Sequence, residues 1–280
     1  MRRTVLAAVF ALSVSVLFAS TSCAQDTSSD NTTLRVLTYN IKRGYGNDRV
    51  TDLARTAKVI EASRPDLVAL QEVDENCRRS GGVDQASWFG EKLSMHHAFV
   101  PFMDYDGGRY GMAVLSRFPI TAVDALPLPE GREPRVALVA TMKLPGEQTL
   151  KMINVHFDYI SDDQVRFEQA KKVRDAIVSG SDPAILLGDF NDQPHSRTLG
   201  LFEEAFVEAK KPEGNRLTYA SDDPKREIDF LFAYPAAGES TGKASSESFA
   251  WQIDHVEVID EPVASDHRPV LSVLRLQAKQ

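Results

Sequence analysis

Residues 184–194 read Ala-Ile-Leu-Leu-Gly-Asp-Phe-Asn-Asp-Gln-Pro. The apolar tetrad Ala184 to Leu187 has the length and composition of a buried strand. Three oxygen-bearing side chains, Asp189, Asn191 and Asp192, crowd the five positions after it. A strand end needs one turn-former, and a single Asp or Asn supplies it by bonding to its own backbone. Three are more than a turn requires. The stretch therefore predicts a strand that delivers its last residues to something that wants hard oxygen ligands.

The same arrangement recurs along the chain. Leu34 to Tyr39 runs into Asn40, Leu67 to Gln71 into Glu72, and Lys151 to Val155 into His156. Glu227-Ile228 leads to Asp229 in the otherwise apolar IDFLFAY, and Ser265-Asp266-His267 precedes the apolar run from Pro269 to Val273. Any one of these has a bland reading as a turn-former or a cap. Six strand ends carrying only Asn, Asp, Glu and His predict one site, assembled where loops meet at an edge of a packed scaffold.

Between those ends the chain alternates. Strand-like runs fall at 34–41, 67–71, 97–102, 111–116, 119–126, 135–143, 149–157, 184–187, 227–233, 251–259 and 269–276. Helical periodicity is clear at 50–63, which stops at Arg64-Pro65, and at 162–180, where Ser161-Asp162-Asp163-Gln164 predicts a capping box. There is no repeat of fixed period and no internal linker. Many strands with a few helices predict an α/β sandwich: two packed, mainly antiparallel sheets flanked by helices, in a single domain over 34–280.

The first 24 residues differ. Arg2 and Arg3 precede an apolar run from Val5 to Ala19, and Ser22-Cys23-Ala24 suits cleavage after Ala24. This reads as a signal peptide, so the protein is expected to be exported, periplasmic or secreted, with no transmembrane segment after processing. Acylation of Cys23 is the alternative, although Ser20 stands where a lipoprotein signal usually has Leu. Residues 25–33 read as a disordered tether. Removing Arg2 and Arg3 takes the formal charge from −8 to −10. An acidic surface does not attract duplex DNA by bulk electrostatics. Cys77 alone would remain, which excludes an internal disulfide. A monomer is the favoured assembly.

Carboxylates and amides without thiols suit Mg²⁺, Mn²⁺ or Ca²⁺ rather than structural Zn²⁺, and Mg²⁺ or Mn²⁺ is the expected cofactor. Two separated histidines add proton transfer or charge stabilisation near neutral pH. Together these groups are equipment for hydrolysing a phosphoester.

The ordered motifs Thr38–Ile41, Gln71–Val73, Gly111–Ser116, Asn154–His156, Gly188–Asn191, Ile228–Phe230 and Ser265–His267 resemble those of the endonuclease/exonuclease/phosphatase superfamily, the deoxyribonuclease-I-like phosphoesterases. Any one is weak, but seven in order are specific. The resemblance implies a four-layered α/β sandwich with the site at one edge of both sheets. It implies Asn40, Glu72 and Asp266 near the metal, with Glu72 the principal ligand. Asp189 would activate the attacking water, and Asn191 would hold the phosphate or nucleophile. His267 would be base or charge stabiliser, and His156 would contact the phosphate opposite. Asp229 would accept a hydrogen bond from His156 and fix its tautomer. The implied partner is a phosphoester: a lipid head group, inositol phosphate, nucleotide or nucleic acid.

The chain also departs from parts of that family. Lys42 stands where the abasic-site nucleases carry an acid, which weakens a DNA-repair reading and leaves an ammonium as a phosphate-binding candidate. Arg135 is a second such candidate, against the alternative of a solvated charge at a strand start. Arg109 and Tyr110 are weaker candidates for the cleft. Asp192 reads as a turn residue, His96 and His97 as structural, His195 and His255 as surface or supporting residues, and Trp88 and Trp251 as core. The expected activity is metal-dependent phosphodiester hydrolysis. A secreted nuclease is the alternative, and a catalytically dead binding protein of the same fold the remote one.

Overall fold

The computed structural model describes residues 32–235 and 249–278, with Met1. One sheet holds β1 (Thr32–Asn40), β2 (Leu67–Glu75), β3 (His96–Tyr105), β4 (Gly108–Ser116), β11 (Phe249–Val258) and β12 (Val270–Ala278), in the order β11-β12-β1-β2-β4-β3. The other holds β5 (Ile120–Pro127), β6 (Val136–Lys143), β7 (Thr149–His156), β8 (Ala184–Asp189), β9 (Val207–Glu208) and β10 (Asp229–Tyr234), in the order β5-β6-β7-β8-β10-β9. Each sheet is antiparallel except for one parallel pair, β1 with β2 and β7 with β8. A parallel pair needs a crossover, and helices α1 (Leu53–Ser63) and α3 (Gln164–Val178) provide them. Two further helices, α2 (Gln85–Leu93) and α4 (Arg197–Gly200), complete the set among the described residues.

Alternation along the strands sorts the apolar side chains into three cores. Leu34, Val36, Leu67 and Ala69 of the first sheet pack between the sheets with Leu138, Met152, Ile185 and Leu187 of the second. Leu37, Tyr39, Val68 and Leu70 face the other way, onto Ala57 and Ile60 of α1 and Phe89 of α2. Ile153, Leu186, Phe230 and Phe232 face Ala170 and Val173 of α3 and Leu199 of α4. The result is the four-layered sandwich expected from the sequence.

Local signals explain the helix limits. The Asp52 side chain accepts from the Arg55 amide at 2.9 Å, and Arg64 turns left-handed at the residue before Pro65. The capping box expected at Ser161–Gln164 does not form. Asp163 is the N-cap residue but makes no cap bond. Its carboxylate pairs with Arg197 at 2.7 Å, while Asp162 takes the Gln164 amide at 3.0 Å. The tether expected over 25–33 is also too long, because Thr32 and Thr33 already pair with Leu276 and Arg275. The signal peptide and residues 25–31 lie outside the described residues, Met1 apart. No described helix is long and apolar enough to cross a membrane.

Candidate active site

The parallel pairs end at one edge of the sandwich, so Asn40, His156 and Asp189 arrive there as the last residues of β1, β7 and β8. Carboxyl ends of parallel strands are where open α/β sheets collect their ligands. Strand β10 runs antiparallel to β8 and begins opposite Asp189, which brings Asp229 to the same edge. The loop before β12 delivers Asp266 and His267. Strand parity then aims the side chains inward: Asn40 follows Val36, Asp189 follows Ile185 and Leu187, and Asp229 precedes Leu231, all inter-sheet residues.

Glu72 breaks parity. Val68 and Leu70 face α1 and α2, and so does Val73; regular alternation would send Glu72 outward with them. A bulge interrupts the β2–β4 register between Leu70 and Val73, and Glu72 sits at φ 57°. Two consecutive residues, Gln71 and Glu72, thereby face inward, the re-aiming that bulges near sites provide. Backbone at that φ is strained for a non-glycine residue and is held by its surroundings. At Gly188 the constraint is space: φ is 142°, and a Cβ there would stand 2.0 Å from the Val155 carbonyl oxygen of β7.

Asp189 is the hub. Its Oδ1 accepts the Asn191 amide at 2.9 Å, the bond of an Asx turn. Its Oδ2 lies 3.2 Å from Asn40 Nδ2, 3.5 Å from His156 Nε2 and 3.6 Å from His267 Nε2. The same Asn40 Nδ2 donates to Glu72 Oε1 at 3.0 Å. One oxygen of Asp189 thus makes the turn, and the other belongs to the site.

The titration behaviour follows from burial. Burial pushes the Asp189 carboxyl up to about 7, with Asp229 adding and the His267 charge opposing. For His267 burial alone would lower the value, but the Asp229 and Asp189 carboxylates outweigh it and raise it to about 10. His156 moves the other way, well below the ordinary imidazole range, through burial and the positive charges of Arg135 and His267. The edge therefore presents an imidazolium and a neutral imidazole to one carboxylate.

Two expectations change. Asp229 serves His267, with Nδ1 at 3.0 and 3.2 Å from its oxygens, and not His156, whose Nδ1 is buried without a partner. Lys42 does not stand free for a phosphate; Nζ lies 2.5 Å from Asp266 Oδ2. Arg135 is buried rather than solvated, at 3% exposure. Asn191 is at the site edge, with Nδ2 donating to the Phe157 carbonyl at 3.1 Å. Asp192 Oδ2 pairs with Arg166 Nε of α3 at 3.0 Å. Arg109 is drawn to Glu75, and Tyr110 is buried in the inter-sheet core. His96, His97, His195 and His255 are exposed, Trp88 half-buried and Trp251 buried. Burial raises the Cys77 thiol to about 11, so it stays protonated near neutral pH.

Three supporting residues, Gln71, Asn154 and Ser265, stand in the ordered motifs but are given no role there. Gln71 Nε2 donates to Asn154 Oδ1 at 2.7 Å, and Asn154 Nδ2 donates to the Leu70 and Ala113 carbonyls at 2.9 and 3.0 Å. Asn154 so ties β7 to the opposite sheet directly beneath the site. Ser265 Oγ donates to the Asn40 carbonyl at 2.7 Å and fixes the His267 loop onto β1.

A divalent cation suits this donor set. Ligand atoms of Asp189, Asp229 and His267 lie within 4.8 Å of one another, but His267 is held protonated by Asp229 and is no ligand in that state, so the fit rests on the carboxylates. The Glu72 and Asp189 carboxylates, from facing sheets, converge on one amide, and a cation beside them would favour the charged form of the buried Asp189.

A four-layered sandwich whose parallel strand ends gather carboxylates, amides and two histidines defines a hydrolase of phosphate esters. The chain belongs to the endonuclease/exonuclease/phosphatase family, whose family model matches residues 37–275. Solved structures share the fold. An endonuclease/exonuclease/phosphatase from Beutenbergia cavernae DSM 12333 is 24% identical, with 88% of this chain and 72% of that one covered and a TM-score of 0.66. A mannosyl-6-phosphatase from Bacteroides thetaiotaomicron VPI-5482 is 18% identical over 88% and 100%, with a TM-score of 0.66. Humanized TDP2 from D. rerio is 19% identical over 86% and 98%, with a TM-score of 0.68.

Proposed function

We propose that the protein is an exported, divalent-metal-dependent phosphodiesterase that hydrolyses its substrate by in-line attack of water. The observation that carries this reading is the single oxygen, Asp189 Oδ2, that faces His156, His267 and Asn40 while Asn40 also holds Glu72. Glu72 and Asn40 would hold Mg²⁺ or Mn²⁺, with Asp266 beside them. When bound, the ion supplies Lewis-acid stabilisation of phosphoryl oxygens.

The chain's own groups cover the proton transfers. A carboxyl titrating about 7 is matched to general-base work near neutral pH, so Asp189 takes a proton as the water oxygen forms its bond to phosphorus. Asn191, at the turn after Asp189, holds the phosphate or the water. His267 is an imidazolium whose orientation Asp229 fixes, and it places positive charge where negative charge develops. His267 Nε2 lies 3.6 Å from the base oxygen of Asp189, on the attacking side, so it keeps its proton and the leaving ester oxygen takes one from solvent water as its P–O bond breaks. Neutral His156, whose Nε2 lies 3.5 Å from the same Asp189 oxygen, lends a hydrogen bond to the phosphate.

The mannosyl-6-phosphatase shares the fold and is named for a phosphomonoester, so monoester hydrolysis is the second reading. The net charge of −8 argues against a nuclease of duplex DNA. A panel of small diesters, monoesters, lipid head groups and nucleic acid, assayed with Mg²⁺ and with chelator, tests the proposal. Metal-dependent turnover of small diesters ahead of plasmid DNA is expected; efficient cleavage of DNA alone at physiological salt contradicts it.

A further inference from the structure

The chain that leaves β9 runs on beside β10. Glu208 pairs with Phe232, and the Ala209 amide donates to the Leu231 carbonyl at 2.9 Å. Carried three residues past Glu208, the same antiparallel register sets Lys211 level with Asp229. On the other flank of β10 the residue opposite Asp229 is Asp189. Across the sheet, Asp229 therefore has an acidic residue on one side and a lysine on the other.

That lysine is buried. The Lys211 and Glu227 side chains are 1% and 7% exposed, and Lys211 Nζ lies 2.9 Å from Glu227 Oε1. The same Nζ stands 4.1 Å from the ring centre of Phe230. Arg216, half exposed, lies 3.8 Å from the second Glu227 oxygen. Burial lowers the Lys211 value, and the charges of Glu227 and Asp229 oppose it. Lys211 thus grips the residue two before Asp229, packs on the residue after it, and feels the charge of Asp229 itself.

An ion pair of this kind is a poor device for stability alone. Two charges withdrawn from water lose about as much hydration as their attraction returns, and apolar residues of the same volume often serve as well. What such a pair supplies instead is a fixed position. The position at stake is that of Asp229, whose oxygens stand 3.0 and 3.2 Å from His267 Nδ1. Thr218 holds the main chain beside both residues: its Oγ1 accepts the Ile228 amide at 3.2 Å, and its carbonyl accepts the Arg268 amide at 2.8 Å. Lys211 supplies the matching charge behind the Asp229 side.

We propose that Lys211 is a positioning residue for the hydrolysis: through Glu227 it holds the Asp229 carboxylate where it meets His267 Nδ1, and so keeps His267 aimed at Asp189. This deepens the phosphoesterase reading and rests on it. The test removes the ion pair as a unit, in Lys211→Met with Glu227→Leu, and makes the same change in Asp229→Asn. Turnover of bis(p-nitrophenyl) phosphate at saturating Mg²⁺ is one readout. The proton NMR resonance of His267 Nδ1–H is the other. A buried imidazole proton shared with a carboxylate resonates far downfield, and its displacement in Asp229→Asn identifies it. The pair variant should fold, with kcat lowered on the order of 10–100-fold and KM little altered, the loss that a small misplacement of reacting groups produces. Its downfield resonance should move upfield or vanish. In the Asp229→Asn background the same change should cost less than about threefold, because residues acting as a unit are non-additive. If the pair variant does not fold, Glu227→Gln, which keeps the shape and removes the charge, decides: kcat should fall at least roughly threefold with the resonance displaced. Wild-type kcat in the folded pair variant, or in Glu227→Gln where that stands alone, overturns the proposal. A lowered kcat with an unmoved resonance, or an undiminished loss in the Asp229→Asn background, also overturns it, since either marks a general weakening of the fold. A wild type inactive on the diester contradicts the phosphoesterase reading instead; the resonance then still judges Lys211, and its persistence unchanged in the pair variant overturns the positioning role.

Discussion

His267 Nδ1 lies 3.0 Å from Asp229 Oδ2, which joins the loop before β12 in one sheet to the first residue of β10 in the other. Because Asp229 and Asp189 raise His267 to about 10, the imidazolium persists through neutral pH and is lost only as pH rises through that value. Asp189, raised to about 7, becomes a base only as pH rises through its own value.

The rate profile should therefore climb near pH 7 and fall near pH 10, a bell with one limb for each group. Asp229→Asn removes a charge that raises both His267 and Asp189, so the alkaline limb should move toward neutral pH and the acid limb to lower pH. Profiles of kcat/KM for the two proteins check this. The same linkage makes the His267 contribution to stability fully present below its unfolded value near 6.5 and absent above about pH 10.

Metal dependence should be visible in Glu72→Gln. The substitution keeps volume and the Asn40 contact but removes a charge. Activity should then need on the order of tenfold more Mg²⁺ for half-saturation, as altered ligand sets commonly show. Titration calorimetry with Mn²⁺ provides a measurement independent of turnover. Wild-type affinity in the variant would remove Glu72 from the ligand set.

Asn154 makes a stability prediction. Asn154→Ala leaves the Leu70 and Ala113 carbonyls and the Gln71 amide without their partner inside the sandwich. A loss of about 2–4 kcal/mol is expected from broken buried bonds plus a small cavity. Urea unfolding monitored by circular dichroism measures it, and a change below about 0.5 kcal/mol contradicts the cross-sheet role.

Much of this was legible in the chain because buried strands that end in ligand-like residues leave a local signature. Ala184–Leu187 and the polar residues after it needed no knowledge of their neighbours. The two-residue β9 and the four-residue α4 are too short for any periodicity to register. α2 stayed hidden because Gly90 interrupts it; that glycine admits His97, whose Nδ1 would stand 2.4 Å from a Cβ. The bulge at Glu72 is also silent, since a bulge depends on the partner strand. Pairings across the sheets were the least readable. Sequence order cannot say whether Asp229 of one sheet meets His156 of its own sheet or His267 of the other. That choice is made where the two sheet edges meet.

The central claim is that Asp189 prepares the nucleophile, and Asp189→Asn tests it most directly. Asn is a good turn-former of the same shape, so the Oδ1 bond to the Asn191 amide survives and thermal stability should change little. The charge and the basic oxygen facing His156 and His267 are lost. Hydrolysis of bis(p-nitrophenyl) phosphate by the two proteins at saturating Mg²⁺ should show kcat lowered on the order of 10²–10⁴-fold, with KM little altered. Near wild-type kcat in Asp189→Asn, or a loss that tracks unfolding, would contradict the account.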